Sequence, residues 1–410
     1  MRALEKRIDR LFFMDYLRAG LVTLVVLHHL AVVYAGNTAF YYLEPARHDL
    51  IALVVLVLFQ LFNQAYFMGL LFLIAGYFTP ASLDRKGPAL YLKQRLLRLG
   101  VPTLIFAFIL APISSIGIYQ MPATLTHITT AFTWEQYPQL IGTGPMWFAV
   151  MLFVFDFCYA AWLTVRKSGT AQPETRDAPR YGMIGVLILA LALTSYLIRI
   201  VLPLGKYLLG FPSLAYLPQY VSFFIIGVAA YRRNWLRTIG EPMGKRGFWL
   251  AAIATLFLLP VALTPKLGIS GGFLGHGHWQ SCIYSLWDST FAVGVSLGLL
   301  SLFRRRFDYA ARLGQFMQSQ AFAVYVIHIP VIVLLALALR PVHIEQLLKF
   351  GLAAIIGVPL SFVVAYFVRR ISVSFSPTLV ASPSRDHLFG GTKEVSPHEH
   401  YGYESSIRLP

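Results

Sequence analysis

Ten apolar runs, separated by short polar segments, make up most of the chain. They fall at about 11–34, 50–79, 97–118, 146–165, 181–203, 214–231, 248–264, 280–303, 319–339 and 346–368. Each is long enough for a helix to cross a bilayer, so the pattern predicts an all-α, polytopic membrane protein of about ten transmembrane helices in one bundle. The second run is the longest, and Asn63 and Gln64 in its middle mark it for a tilt or a break. Residues 1–370 are expected to form one transmembrane domain. The segment 371–410 turns polar, rich in Pro, Ser, Gly and His, and is expected to be a disordered cytoplasmic tail.

Composition agrees. Only 13% of residues are charged, against about 25% in soluble domains. The net charge of +16 would suit a nucleic-acid binder, but its distribution points elsewhere. Of 34 Lys and Arg residues, 28 fall on the side that holds both termini in a ten-span topology. The other side holds only Arg47, Arg199, Lys206, Lys266, Arg340 and Lys349. Such an asymmetry predicts cytoplasmic termini and a multi-pass protein of the inner or plasma membrane, with no nucleic-acid partner. The charged first run is read as a retained helix, not a cleaved signal. Cys158 and Cys282 lie inside apolar runs and supply no disulfide framework.

The first run, RLFFMDYLRAGLVTLVVLHHLAVVY, carries charge that a bilayer helix normally lacks. An ionisable group at mid-membrane costs about 2.5–3.5 kcal/mol on insertion scales. Arg18 and His29 are eleven residues apart, so on a helix they share a face, ~16 Å apart along the axis. Asp15 falls on the same stripe, while His28 points roughly 80° away. Asp15 and Arg18 can pair at i, i+3. Desolvation favours a neutral imidazole, and a neutral His29 beside a wet cleft can take a proton from an alcohol. An interhelical polar clamp, with His29 donating to a backbone carbonyl, accounts for the same residues.

Other constellations are sparser. Arg95 and Arg98 share a helix face, and guanidinium forks suit phosphate oxygens; a positive-inside anchor reads the same way. Tyr325 and His328, in AFAVYVIHIP, stand one turn apart and suit either a polar acceptor site or an interhelical bond. Asp156 and Asp288 are single intramembrane carboxylates, open to a structural or a site-lining role. Trp147, in GPMWF, is explained by an aromatic belt without any ligand. No metal centre is expected: His276 and His278 lack a third ligand, as do His398 and His400.

Taken together, these residues resemble the membrane-bound acyltransferase family three, and within it the glucan-modifying succinyltransferase-like members. The resemblance rests on D-x-x-R-x10-H (Asp15, Arg18, His29), FLIAGYF (Phe72 to Phe78) and RLLRLGVP (Arg95 to Pro102). The Trp147–Phe148 pair and YVIH (Tyr325 to His328) extend it. It implies an O-acyltransferase that moves an acetyl or succinyl group from cytoplasmic acyl-CoA to a hydroxyl of a glycan or glycolipid outside the cytoplasm. By the same resemblance His29, with Arg18 and Asp15, would be catalytic, and Arg95 with Arg98 would bind acyl-CoA. Trp147, Tyr325, His328, Asp156 and Asp288 are carried as candidate acceptor-site residues.

Acyl-CoA would be a substrate, and no permanently bound cofactor is expected. Pro145 and Met146 stand where relatives often have a polar residue and leucine. No extracytoplasmic hydrolase-like domain follows the spans, so acceptor choice is expected to lie in the membrane domain or in a partner protein. The competing class is a carrier that uses the stripe as a solute or proton path, although no paired interrupted helices mark it. A sensory protein that keeps these residues only by descent is a third reading.

Overall fold

The computed structural model describes residues 11–44, 49–121, 132–166, 174–208, 211, 214–264 and 271–375. Among them ten helices are long and apolar enough to cross a membrane. They are α1 (Phe12–Ala35), α2 (Leu50–Lys86), α3 (Pro88–Gln120), α4 (Trp134–Arg166, continuous from Trp147) and α5 (Tyr181–Val201). Then follow α6 (Leu214–Arg232), α7 (Glu241–Ala262), α8 (Trp279–Arg306), α9 (Arg312–Ala338) and α10 (Gln346–Ile371). Residues up to Arg369 form one compact unit; of a second, from Arg370 onward, only 370–375 are described, and they are helical. The expected disordered tail therefore lies almost wholly outside the described residues.

Burial sorts the helices into layers. More than half of the apolar window is enclosed by protein in α1 (56%), α8 (61%) and α9 (67%), against 28% in α5, α7 and α10. The polar residues of α1, α8 and α9 are thus held inside the bundle, where such groups can find partners.

Hydropathy located the crossings but not the helix ends. At Gly87 the backbone turns left-handed (φ 75°), and Pro88 opens α3 nine residues before the apolar run. Arg95 consequently sits two turns inside a helix. α7 and α9 likewise start seven residues early. A break at Asn63–Gln64 does not occur. α2 is continuous over 37 residues, about 55 Å, so it is far longer than the ~30 Å hydrocarbon layer. Asn63 is buried, and Gln64 donates to Tyr220 Oη on α6 at 3.4 Å.

Glycine sets the closest helix approaches. A Cβ on Gly76 would stand 2.2 Å from Phe224 O, and one on Gly227 only 2.1 Å from Leu73 O. The α2 and α6 backbones therefore touch where neither has a side chain. Gly247 and Gly294 do the same for α7 and α8, at 2.6 and 2.5 Å from each other's carbonyl oxygen. Lipid offers apolar side chains no gain on pairing, so close backbone packing is what holds such helices together.

Interhelix contacts define two faces. On one, Tyr16 Oη donates to Tyr309 O at 2.7 Å, Asp84 pairs with Arg232 at 2.5 Å, and Arg304 donates to Leu236 O at 2.9 Å. This face collects the basic loops and is called the basic face below. On the other, Lys349 pairs with Glu44 at 2.5 Å, Gln346 donates to Tyr34 O, and His276 N donates to Arg199 O at 3.1 Å.

Candidate active site

α1 displays its polar stripe as its spacing requires. Arg18 Nη2 lies 3.6 Å from Asp15 Oδ1 near the basic face. His29 is partly buried six residues before the helix end, about 9 Å from it. The two histidines diverge, with ring planes 81° apart. His28 stacks on Phe67 of α2 at 5.1 Å, and its Nδ1 is buried without a hydrogen-bond partner. His29 turns inward to α9.

α9 meets it with rings at every third residue. Phe322, Tyr325 and His328 are stacked, with centroids 6.5 and 6.1 Å apart and planes 29° apart at both steps. His328 is fully buried. Its Nδ1 lies 2.7 Å from Tyr325 O, so this nitrogen carries the proton and donates. In the neutral ring Nε2 is then an acceptor, and it lies 3.2 Å from His29 Nδ1. His29 Nδ1 also faces Val25 O at 2.9 Å. Flanked by two acceptors, His29 Nδ1 must be the N–H. The lone pair of His29 is thereby assigned to Nε2, where it can accept a proton. His29 does face a carbonyl, but it is that of Val25 in its own helix and not the interhelical partner of the clamp reading.

The segment before α4 packs onto this pair. Tyr325 Oη donates to the carbonyl of Pro145, and Phe148 meets the Tyr325 ring edge-on at 5.9 Å. Trp147 is buried and stacks on Tyr220 at 5.5 Å, so it is a core residue rather than a belt tryptophan. Phe40, from the loop after α1, stacks on His29 at 5.4 Å. The imidazole is therefore framed by α1, α9 and a ring from the face opposite the basic one.

Arg95 belongs to a separate buried network. Its Nε donates to Tyr91 Oη at 2.9 Å and lies 3.1 Å from Asp156 Oδ2. Tyr91 and Thr79 hydroxyls both donate to Asp156 Oδ1 at 2.8 Å. Asp156, grouped above with acceptor-site candidates, is thus the counter-ion of Arg95 and ties α2, α3 and α4 together. Arg98, on the same face of α3, points to α9, with its guanidinium 6.0 Å from the Phe322 ring centroid.

Asp288 is placed with Arg199, at 2.7 Å. Arg199 is fully buried at the end of α5, held between the rings of Tyr216 (4.9 Å) and Tyr284 (5.3 Å), and it donates to Ser285 Oγ at 3.0 Å. Together they form a neutral ion pair near the face opposite the basic one. The six described candidates closest to the stripe thus gather as Asp15 with Arg18 and as His29 with His328, Tyr325 and, through Phe148, Trp147. Phe40 and Phe322 were missed. The signal for Phe322 was the three-residue period it shares with Tyr325 and His328; Phe40 had none. Among the described residues, no three His, Cys, Asp or Glu side chains come together as metal ligands.

An intramembrane imidazole with an assigned lone pair, enclosed by bilayer-length helices, suits a multi-pass membrane enzyme. The comparisons name its family. Residues 11–370 match the family model for the acyltransferase domain of the acyltransferase 3 family, and the chain belongs to that family. It is a membrane acyltransferase, which decides against the carrier reading. Glucans biosynthesis protein C of Escherichia coli O17:K52:H18 (strain UMN026 / ExPEC) is 24% identical over 366 residues, covering 85% of this chain and 90% of that protein. The proteins of the same name from E. coli O1:K1 / APEC and strain K12 are 23% identical with the same coverage. No solved structure matches.

Proposed function

We propose that this protein transfers an acyl group, acetyl or succinyl, from acyl-CoA on the cytoplasmic side to a hydroxyl of a glycan outside it. The observation that carries the reading is the His29–His328 contact of 3.2 Å, which leaves His29 Nε2 as a proton acceptor inside the bundle. The glycan acceptor is taken from the name of the E. coli relatives. The excess of Lys and Arg on the basic face supports a cytoplasmic location for it, in a bacterial inner membrane.

In this reading the phosphates of the donor dock among the arginines of the basic face, and the thioester arm runs inward between α1 and α9. The hydroxyl proton passes to His29 Nε2 as the oxygen attacks the thioester carbonyl carbon. The carbon–sulfur bond then breaks, and the thiolate takes the proton from the imidazolium, giving an ester and free CoA. His328 accepts from His29 Nδ1–H throughout, which holds the ring in place and supports its transient charge. Arg18 and Asp15 help set the electrostatics of the donor channel.

Sealed vesicles of known sidedness test this. Acyl-labelled CoA supplied on the basic face should yield label covalently attached to a glucan present only on the opposite face. Label that appears only on acceptors of the donor's own side would remove the transmembrane part of the reading. No labelled product with any hydroxyl acceptor would remove the donor.

A further inference from the structure

Two guanidiniums from opposite ends of the sequence converge on one turn of α9. Arg369, near the end of α10, donates from Nη1 to Ser319 O at 2.6 Å. Ser319 lies one turn before Phe322, over whose ring Arg98 of α3 stands. The guanidinium of Arg98 lies within electrostatic range of Arg95, Arg18 and Arg369, and Lys86 within range of Arg85, Arg95 and Arg98. Six cations from α1, α2, α3 and α10 therefore gather at one corner of the basic face. Among the described residues, two carboxylates pair within this group: Asp156 on Arg95, and Asp15 beside Arg18. Arg98 and Arg369 have no carboxylate partner among the described residues.

Like charges collected this closely are unfavourable unless an anion completes them. The bond from Arg369 to Ser319 O uses one nitrogen and holds the planar fork in place, leaving its other donors for bidentate binding of phosphate oxygens. Arg95 is differently placed, because its charge is already balanced by the buried carboxylate of Asp156. The stacked rings of Phe322, Tyr325 and His328 begin at this cluster and end at His29. A phosphate held here would stand at the end of the ring ladder on α9 whose other end is the imidazole.

We infer that Arg369 and Arg98, with Arg18 beside them, form the phosphate-binding site of the donor, the last helix supplying a clamp from across the bundle. Arg95 acts as a positioning residue that anchors α3 to α4. The inference rests on the acyl-CoA reading above and adds Arg369 to it. The same phosphate chemistry is offered by anionic lipid headgroups, which the test separates from the soluble donor.

The test uses the full chain in nanodiscs of zwitterionic lipid, titrated calorimetrically with coenzyme A and assayed with two donors, acyl-CoA and the phosphate-free acyl-pantetheine. Arg369→Ala should weaken coenzyme A binding at least about tenfold and raise the KM for acyl-CoA. It should leave the KM for acyl-pantetheine unchanged, a difference that a merely structural role would not produce. Arg369→Lys, which keeps the charge without the fork, should fall between. Wild-type affinity in Arg369→Ala, with loss in Arg98→Ala, would overturn the clamp while leaving acyl-CoA as donor. A wild-type protein that ignores coenzyme A would remove the donor itself. Coenzyme A binding unchanged by Arg369→Ala, while capture of phosphatidylglycerol is lost, would assign the site to a headgroup and also overturn the inference.

Discussion

His328 Nε2 stands 3.2 Å from His29 Nδ1, joining the first spanning helix to the ninth across 299 residues of sequence. The bond is directional, because Tyr325 O fixes the proton on the far side of His328. That carbonyl on α9 turns the acceptor nitrogen of His328 toward His29, and together with Val25 O on α1 it leaves Nε2 of His29 free. The residues of the contact act as a unit: α9 orients the base that α1 carries.

His328→Phe keeps a ring in place and removes the acceptor. Turnover should fall about 10- to 100-fold, the scale on which a partner that orients a reactive imidazole acts, with the KM for acyl-CoA nearly unchanged. Steady-state kinetics at saturating donor checks this. A fall in donor affinity alone would mean that His328 serves binding.

Tyr325→Phe tests the link to the turn before α4. The Pro145 carbonyl, which Trp147 N–H also reaches, would lose its hydroxyl donor, at a cost of about 0.5–1.5 kcal/mol. Thermal unfolding in detergent should show lower stability, accompanied by reduced transfer as the Pro145–Phe148 turn loosens.

Asp156→Ala removes the counter-ion of a mostly buried Arg95. Breaking a buried pair from one side costs about 3–5 kcal/mol, so yield and thermal stability should both drop sharply. Replacing Arg95 and Asp156 together with Met and Leu should recover stability. If the single and double variants unfold alike, the pair is not what holds α3 to α4.

Gly227→Leu tests the α2–α6 seam. Its Cβ would overlap Leu73 O at 2.1 Å, which no rotamer change relieves. The variant should fail to accumulate as a folded protein, whereas Gly185→Leu, whose Cβ would meet nothing within 4 Å, should fold normally.

The crossings were legible because a bilayer imposes length and hydropathy on each helix separately. The facing of Asp15, Arg18 and His29 was legible for the same reason: one helix contains all three. Pairings between helices were not. Arg95 and Asp156 share a network 61 positions apart, and nothing in RLLR says that its first arginine is claimed by a carboxylate while its second is not. His328 was open to a site-lining role or an interhelical bond without a named partner, because its relation to His29 exists only once α1 and α9 pack. The helix ends at Pro88, Glu241 and Arg312 escaped for a different reason. Their first turns are polar, continue past the hydrocarbon, and leave no mark on hydropathy.

The central claim is that His29 Nε2 is the base. Wild type, His29→Ala and His28→Ala should be reconstituted side by side and assayed for transfer from saturating labelled acyl-CoA. The account predicts a loss of about 10²–10⁴-fold in His29→Ala, with coenzyme A binding retained, and a far smaller effect in His28→Ala. Transfer at the wild-type rate by His29→Ala would contradict it.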